Sequence, residues 1–339
     1  MRATRRPTGP AGHWRRALGK ALAVAVGFLL LAAGVAAQRS LGGSVDLWGS
    51  VGLEVDHRRL DDVSSQTAAT LAAHLEGHLA RGPWQVALTA EPRLPLAGAG
   101  TPVEPFSLGL IEGYLAFRAP LGDLQVGRIL LPLETARLTQ PYTITPRDEH
   151  GRRPGVDGAR ADLYLADDRL QLALVQRGDG WAPVAGWRRA FSGWELTAHG
   201  VLEAGRLVAG LGGSGLVGSV VVYGEGWVVP GEARPRAAVG ATGYAGDLLW
   251  TGEVARAPFL PDQPPEPLAA LQLAYAPTLG LSISLDGAAT LEETPQTQWG
   301  LTATYELVPG TSDVEVSLGR LSLARGATWL VRTALRYYL

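Results

Sequence analysis

The sequence predicts an all-β protein, a single up-and-down antiparallel β-barrel of about eighteen strands that spans a membrane. Three observations predict it. Apolar and polar residues alternate with period two along most of the chain. The joins between the alternating runs are long and short in turn. The first thirty-seven residues read as an export leader.

The leader comes first. Arg2, Arg5, Arg6, Arg15, Arg16 and Lys20 precede an unbroken apolar run, "ALAVAVGFLLLAAGVAA", from Ala21 to Ala37. Val35 and Ala37 suit cleavage before Gln38. A basic start, an apolar centre and small residues at the end are the pattern of a secretory signal peptide. The rival is an uncleaved anchor, for which this run sits at the short edge of the roughly 17–25 residues that cross a bilayer as a helix. Residues 1–37 are therefore expected to be the signal peptide and residues 38–339 the barrel.

Without its leader the chain keeps 24 Lys+Arg against 32 Asp+Glu, a formal charge of −8. A mildly acidic exported chain is a poor binder of nucleic acid. There is no cysteine, hence no disulfide framework, no thiol catalysis and no thiolate metal site.

The alternating runs follow in order. "SVDLWGSVGLEV" sets Val45, Leu47, Val51, Leu53 and Val55 against Asp46, Ser50 and Glu54. "SSQTAATLAAHLEGHLARG" reads either as an Ala-rich helix with Leu71, Leu75 and Leu79 on one stripe or as a strand; its neighbours favour the strand. "WQVALTAE", "GWELTAHGVL", "QWGLTATYEL" and "DVEVSLG" each place Trp, Leu, Val, Ala or Tyr on one face and Gln, Thr, Glu, His or Ser on the other. This is the period of a half-buried strand. The count is about eighteen, or sixteen if two weak runs in 180–215 merge.

The long joins are "DHRRLDDVSSQ" from Asp56, "EPRLPLAGAGTPVEP" from Glu91, the stretch after Arg128, "VPGEARPR" from Val229 and "RAPFLPDQPPEP" from Arg256. The short ones are "RGP", "APLG", "ADD", "AGD" and "PTLG". Short periplasmic turns facing longer outer loops are what a transmembrane barrel requires. Its apolar face meets lipid, its polar face lines the lumen, and closure removes exposed edges. Trp48, Trp84, Trp194, Trp299 and Trp329 lie near strand ends, as an interfacial girdle would. A soluble secreted β protein with one solvated face is the rival fold reading.

Several motifs resemble chemistry. His74 and His78 in "HLEGH" could share a metal on a helix, but on a strand they stand about 13 Å apart. "GLGGSG" at Gly210, Gly212 and Gly215 matches a dinucleotide fingerprint, yet a β-branched strand follows it rather than a helix, so it reads as a hairpin turn. G-x-S-x-G is absent and no serine has a nucleophile's setting, so no enzyme and no cofactor is expected.

The remaining feature is "GRILLPLETARLTQPYTITPRDEHGRRPGVDGARADLYL", Gly127 to Leu165, where alternation lapses and charges gather between prolines. Counted from a periplasmic N-terminus, it joins the fifth and sixth strands and is the third outer loop. Its Gly127-Arg128, the "TPRDEHGRRPGVDG" segment and Arg160 to Tyr164 resemble bacterial outer-membrane porins of the alginate-export kind and related uncharacterised barrels. This chain has "LLPLETAR" where those proteins usually carry Trp-Gly. The final strand, "ATWLVRTALRYYL", is similar to the assembly signal of outer-membrane barrels, with Leu339 in place of the usual Phe or Trp. The resemblance implies passage through the barrel assembly machinery, contact with outer-membrane lipid and, as in many porins, a homotrimer. It also implies that the third loop folds inward and narrows the pore.

The expected function is passive diffusion of small polar solutes or ions. The candidate constriction is Glu134, Arg137, Arg147, Asp148, Glu149, Arg152 and Arg153 on the loop, faced by Arg118, Arg160 and Asp162 on adjacent strands. The alternative is a closed barrel that serves as adhesin, receptor or envelope scaffold.

Overall fold

The computed structural model describes residues 44–338 apart from 61–63, 100–106, 146–152, 179, 261–262 and 324–325. Eighteen strands account for nearly all of them. The first six are β1 (Ser44–Leu60), β2 (Ser64–Arg81), β3 (Trp84–Ala99), β4 (Ser107–Ala119), β5 (Gly122–Ile129) and β6 (Val156–Leu165). Then come β7 (Asp168–Arg177), β8 (Gly180–Phe191), β9 (Trp194–Glu203), β10 (Arg206–Val217), β11 (Val220–Val228) and β12 (Arg236–Ala245). The last are β13 (Leu248–Pro258), β14 (Pro265–Thr278), β15 (Leu281–Thr290), β16 (Thr297–Val308), β17 (Ser312–Leu323) and β18 (Gly326–Tyr338). Each strand pairs antiparallel with its neighbours in sequence, and β1 pairs with β18 from Ser50↔Tyr338 to Leu60↔Thr328. The sheet is therefore closed and no edge is left open.

The two faces behave as the alternation predicts. Glu54, Thr89, Asp162, Thr197, Glu225, Thr242, Thr251, Glu253, Thr290 and Asp313 are buried on the inside. Leu53, Val86, Leu115, Val126, Leu172, Leu196, Leu271, Leu301, Val316 and Leu335 stand exposed on the outside. A continuous apolar band of this extent is unfavourable in water and favourable in lipid.

One rim is uniform: its joins are two or three residues long, from 82–83 to 309–311. At one of them Ser192 and Gly193 both take positive φ (47° and 80°), the turn whose twist matches that of the flanking strands. The other rim is uneven. Its joins run from two residues at 178–179 and 204–205 to the twenty-six of 130–155.

This bears out the count of eighteen strands and corrects three expectations. The joins from Asp56 and Glu91 are shorter than the sequence suggests, because β1 and β3 continue to Leu60 and Ala99. The ladder hydrogen bonds persist after the apolar pattern stops, and β3 takes up Pro92 and Pro95 beside register shifts in its two ladders. The runs in 180–215 do not merge; they are β8, β9 and β10. "GLGGSG" is not a hairpin turn but the interior of β10, and the turn lies beyond it at 218–219. Trp48 is not part of an outward girdle. It pairs with Glu76 in register, and its ring lies 6.3 Å from the His74 ring, on the lumen face. The segment that reads as helix or strand is strand β2.

Candidate functional site

The described part of the long join that follows β5, residues 130–145, does not stand above the rim. It enters the lumen and lies on the inner wall. The physical cause is in its composition: Leu131, Leu133, Tyr142 and Ile144 are apolar and almost fully buried. They pack on Val175, Ala182, Val184, Val201, Val208 and Trp227, inward-facing residues of β7 to β11. Further along, Ala136 packs with Ala238, Ala255, Ala257 and Leu268 on β12 to β14. These wall positions would be polar in a water-filled barrel; here they are apolar because the loop covers them. Each large apolar side chain so buried contributes about 1.5–3 kcal/mol.

Two wall carboxylates pin the crossing. Glu225 on β11 accepts the backbone N–H groups of Thr135 and Ala136. Glu253 on β13 accepts those of Arg137 (3.0 Å), Leu138 (3.1 Å) and Thr139 (2.7 Å), together with the Thr139 hydroxyl and the Tyr223 hydroxyl (3.0 Å). Carboxylates that collect several backbone donors form charge-assisted bonds, roughly twice as strong as neutral ones. Thus a chain segment without regular structure finds acceptors for its N–H groups inside the barrel.

Glycine makes room for the approach. A Cβ at Gly212 would stand 2.6 Å from the Thr135 hydroxyl, and one at Gly210 would stand 2.5 Å from the Trp227 ring. The Trp227 ring, freed to lie over Gly210, contacts Tyr142 of the loop (centroids 4.6 Å) and stacks on His199 (5.7 Å, 10° between planes). Burial pushes the Tyr142 phenol up to about 12, with Arg177 opposing the shift. The phenol keeps its proton, donates to Glu203 Oε2 (3.3 Å) and accepts from Arg177 Nη1 (2.9 Å). Arg236 Nη1 donates to the Pro141 carbonyl (3.0 Å).

Among the expected constriction residues, the structure separates three kinds. Arg137 is exposed, with its guanidinium 5.2 Å from the Tyr223 ring centroid. Glu134 and Arg153 pair with each other at 2.9 Å, and the Glu134 side chain is 2% exposed, so this pair ties the two ends of the loop together. Arg160 and Asp162 on β6 form an ion pair at 3.0 Å; Asp162 also accepts from Arg169 and Gln171, and Arg160 donates to the Leu130 carbonyl that begins the loop. Arg118 lies at the short-turn end of β4 in the row Arg118↔Asp123↔Asp162, two strands from Asp162 on the same face. Arg147, Asp148, Glu149 and Arg152 lie outside the described residues.

The wall that the described part of the loop leaves bare is charged. Arg332 on β18 bonds Glu54 (2.6 Å) and approaches Asp56 (3.7 Å) on β1; Arg93 on β3 reaches Glu54 (3.5 Å) and Glu91 (3.7 Å). Arg336 bonds Glu315 (2.6 Å) on β17 and lies 3.7 Å from Asp313. His74 bridges Glu76 and Glu91 (2.7 and 3.2 Å). Sequence reasoning found none of these wall residues as a set, nor Glu225 or Glu253, and it read Gly210 and Gly212 as a turn. The signal available was a glutamate on the polar face of two consecutive up-running strands, which alternation alone cannot distinguish from ordinary pore lining.

Comparison with known proteins places this geometry. No family model matches the chain, and no curated protein matches it in sequence. Solved structures do match. OccK2 (OpdF) of Pseudomonas aeruginosa superimposes with a TM-score of 0.66 at 14% identity, over 88% of this chain and 99% of its own. A BenF-like porin from Pseudomonas fluorescens Pf-5 gives 0.64 at 11% identity, over 87% and 98%. OprD of Pseudomonas aeruginosa gives 0.62 at 12% identity, over 87% and 95%. This chain has the same fold as these proteins, a closed β-barrel over nearly their whole length.

Proposed function

We propose that the protein is a channel of the bacterial outer membrane through which small polar solutes or ions diffuse passively. The observation that carries this reading is the loop segment of residues 130–145, laid across one wall of an otherwise polar lumen and pinned there by Glu225 and Glu253. A solute passes between that loop and the charged wall of β17, β18 and β1 to β3. Selection rests on width and on fixed charge, which acts strongly across a narrow lumen with low-dielectric walls. Arg137 is the exposed loop charge among the described residues and sets the local sign. We assign no catalytic step.

The reading brings further parts with it. Residues 1–37 direct export, the barrel assembly machinery inserts the chain, and the mature protein meets lipid, with a homotrimer as its expected assembly. The likeness of Gly127-Arg128 and of the Gly155-Val156-Asp157 strand start supports a place near the alginate-export type. One structure of OccK2 is a complex with glucuronate, so a sugar acid is the first solute to try on this chain.

The test is single-channel recording of the refolded mature protein in a planar bilayer under a KCl gradient. Discrete ohmic steps support the channel, and the reversal potential gives the sign of its field. Inserted but silent protein would sink the reading in favour of a closed adhesin, receptor or scaffold barrel. Protein that stays soluble without detergent would remove it from the membrane altogether.

A further inference from the structure

On the outward face, one row of the register crosses six strands near the uneven rim. It runs Leu271↔Gly287↔Trp299↔Arg320↔Trp329↔Arg59, from β14 to β1. Directly paired residues share a face, so all six point toward lipid. The Trp299 and Trp329 rings meet edge to face at 5.6 Å across β17, and the guanidinium of Arg320 lies 5.1 Å from the Trp329 ring centroid. Arg320 is exposed, and the Trp329 ring is its contact among the described residues. Among the described residues, no carboxylate is recorded as a partner for its fork of N–H donors.

Beside the rings is an open apolar groove of about 370 Å³, bordered by Ala269, Leu271, Leu285, Gly287, Ala289 and Trp299. Gly287 leaves the groove open, and the strand itself does not require it. A Cβ there would make only ordinary contacts, 3.6 Å from the Gln298 carbonyl and 3.9 Å from Trp299 Cβ. Towards the barrel's middle the same face continues as Leu285, Leu301 and Val331, all exposed.

We infer that this row is a binding site for one phosphate-bearing lipid of the outer leaflet, with its phosphate on Arg320 and an acyl chain in the groove over Gly287. Three features converge on that occupant. The guanidinium fork matches a phosphate. The tryptophan pair sits where strands end and headgroups begin. The groove is apolar and continuous with the lipid-facing band. The inference rests on the chain spanning a membrane, but not on its lumen being open.

The experiment is native mass spectrometry of the detergent-solubilised barrel with phosphatidic acid or with diacylglycerol of the same acyl chains. The unaltered protein should retain one phosphatidic acid and release diacylglycerol. Arg320→Gln should weaken phosphatidic acid about five-fold, the effect of one interfacial cation. Gly287→Leu should weaken it by filling the groove, while Val316→Leu, on the same face in mid-strand, should not. Equal retention of both lipids would overturn the phosphate contact, and unchanged binding in Arg320→Gln and Gly287→Leu would overturn the site. Loss of the dodecyl sulfate-resistant band identifies a variant that has not folded; Arg320→Lys, which keeps the charge, then replaces it and should bind within about two-fold of the unaltered protein, on the order expected for a retained charge. Single-channel conductance should be the same in all variants, so a silent channel and an absent lipid are separate results.

Discussion

The inner wall of β7 to β14 and the inner wall of β17, β18 and β1 to β3 come from the same alternating pattern, yet they do opposite things. The first is apolar where the loop lies on it, and its Glu225 and Glu253 accept backbone N–H groups of the loop. The second keeps its arginines and acids paired with each other, facing the lumen. The difference shows that lumen polarity is local. A wall turns apolar where another part of the chain excludes water from it, and stays charged where water remains.

The comparison breaks most readily at Trp227, which is 1% exposed between Tyr142 and His199. Trp227→Ala should cost about 3–5 kcal/mol, the range for emptying an aromatic site in a packed core. The loop should lose its seat, seen as a larger and noisier single-channel conductance and a lower melting temperature. Glu253→Ala comes next. It leaves three backbone N–H groups without their acceptor, each costing about 1–3 kcal/mol unless water replaces the carboxylate. Conductance should rise here too, and protease should cut within 130–155 faster than in the unaltered barrel.

Gly212→Val tests the approach of loop to wall by crowding Thr135. Overpacking costs about 1–3 kcal/mol. The same valine at Gly252, where nothing lies within 4 Å of the added Cβ, should leave conductance unchanged. If both substitutions behave alike, the loop does not depend on that contact.

The smaller effects concern charge without movement. Arg137→Ala should shift the reversal potential toward cations at nearly constant conductance, because it removes an exposed loop charge while leaving the backbone bonds to Glu253 in place. Arg332→Gln, on the charged wall, should shift it in the same direction and by less if Arg137 lies at the narrowest point. It releases Glu54 and Asp56 from their ion pairs with Arg332. A larger shift from Arg332→Gln than from Arg137→Ala would move the narrowest point off the loop.

What the sequence by itself determined is the barrel. Period-two alternation is a local property, so Leu53 against Glu54 or Leu196 against Thr197 shows which face is which before any contact is known. The closing strand Gly326–Tyr338 was legible for the same reason, and so was the rank of the long join, since an up-and-down order fixes which loop is third. The tertiary structure alone decided where that loop goes and what holds it. Glu253 and Thr139 lie more than a hundred residues apart, and no pattern in either neighbourhood distinguishes a carboxylate that accepts three backbone N–H groups from one that lines a pore. Gly210 and Gly212 imitated a turn motif because the reason for them, a ring and a loop pressed against the strand, comes from elsewhere in the chain. Alternation records which side of a sheet a residue faces. What it meets there depends on segments that only closure of the barrel brings together.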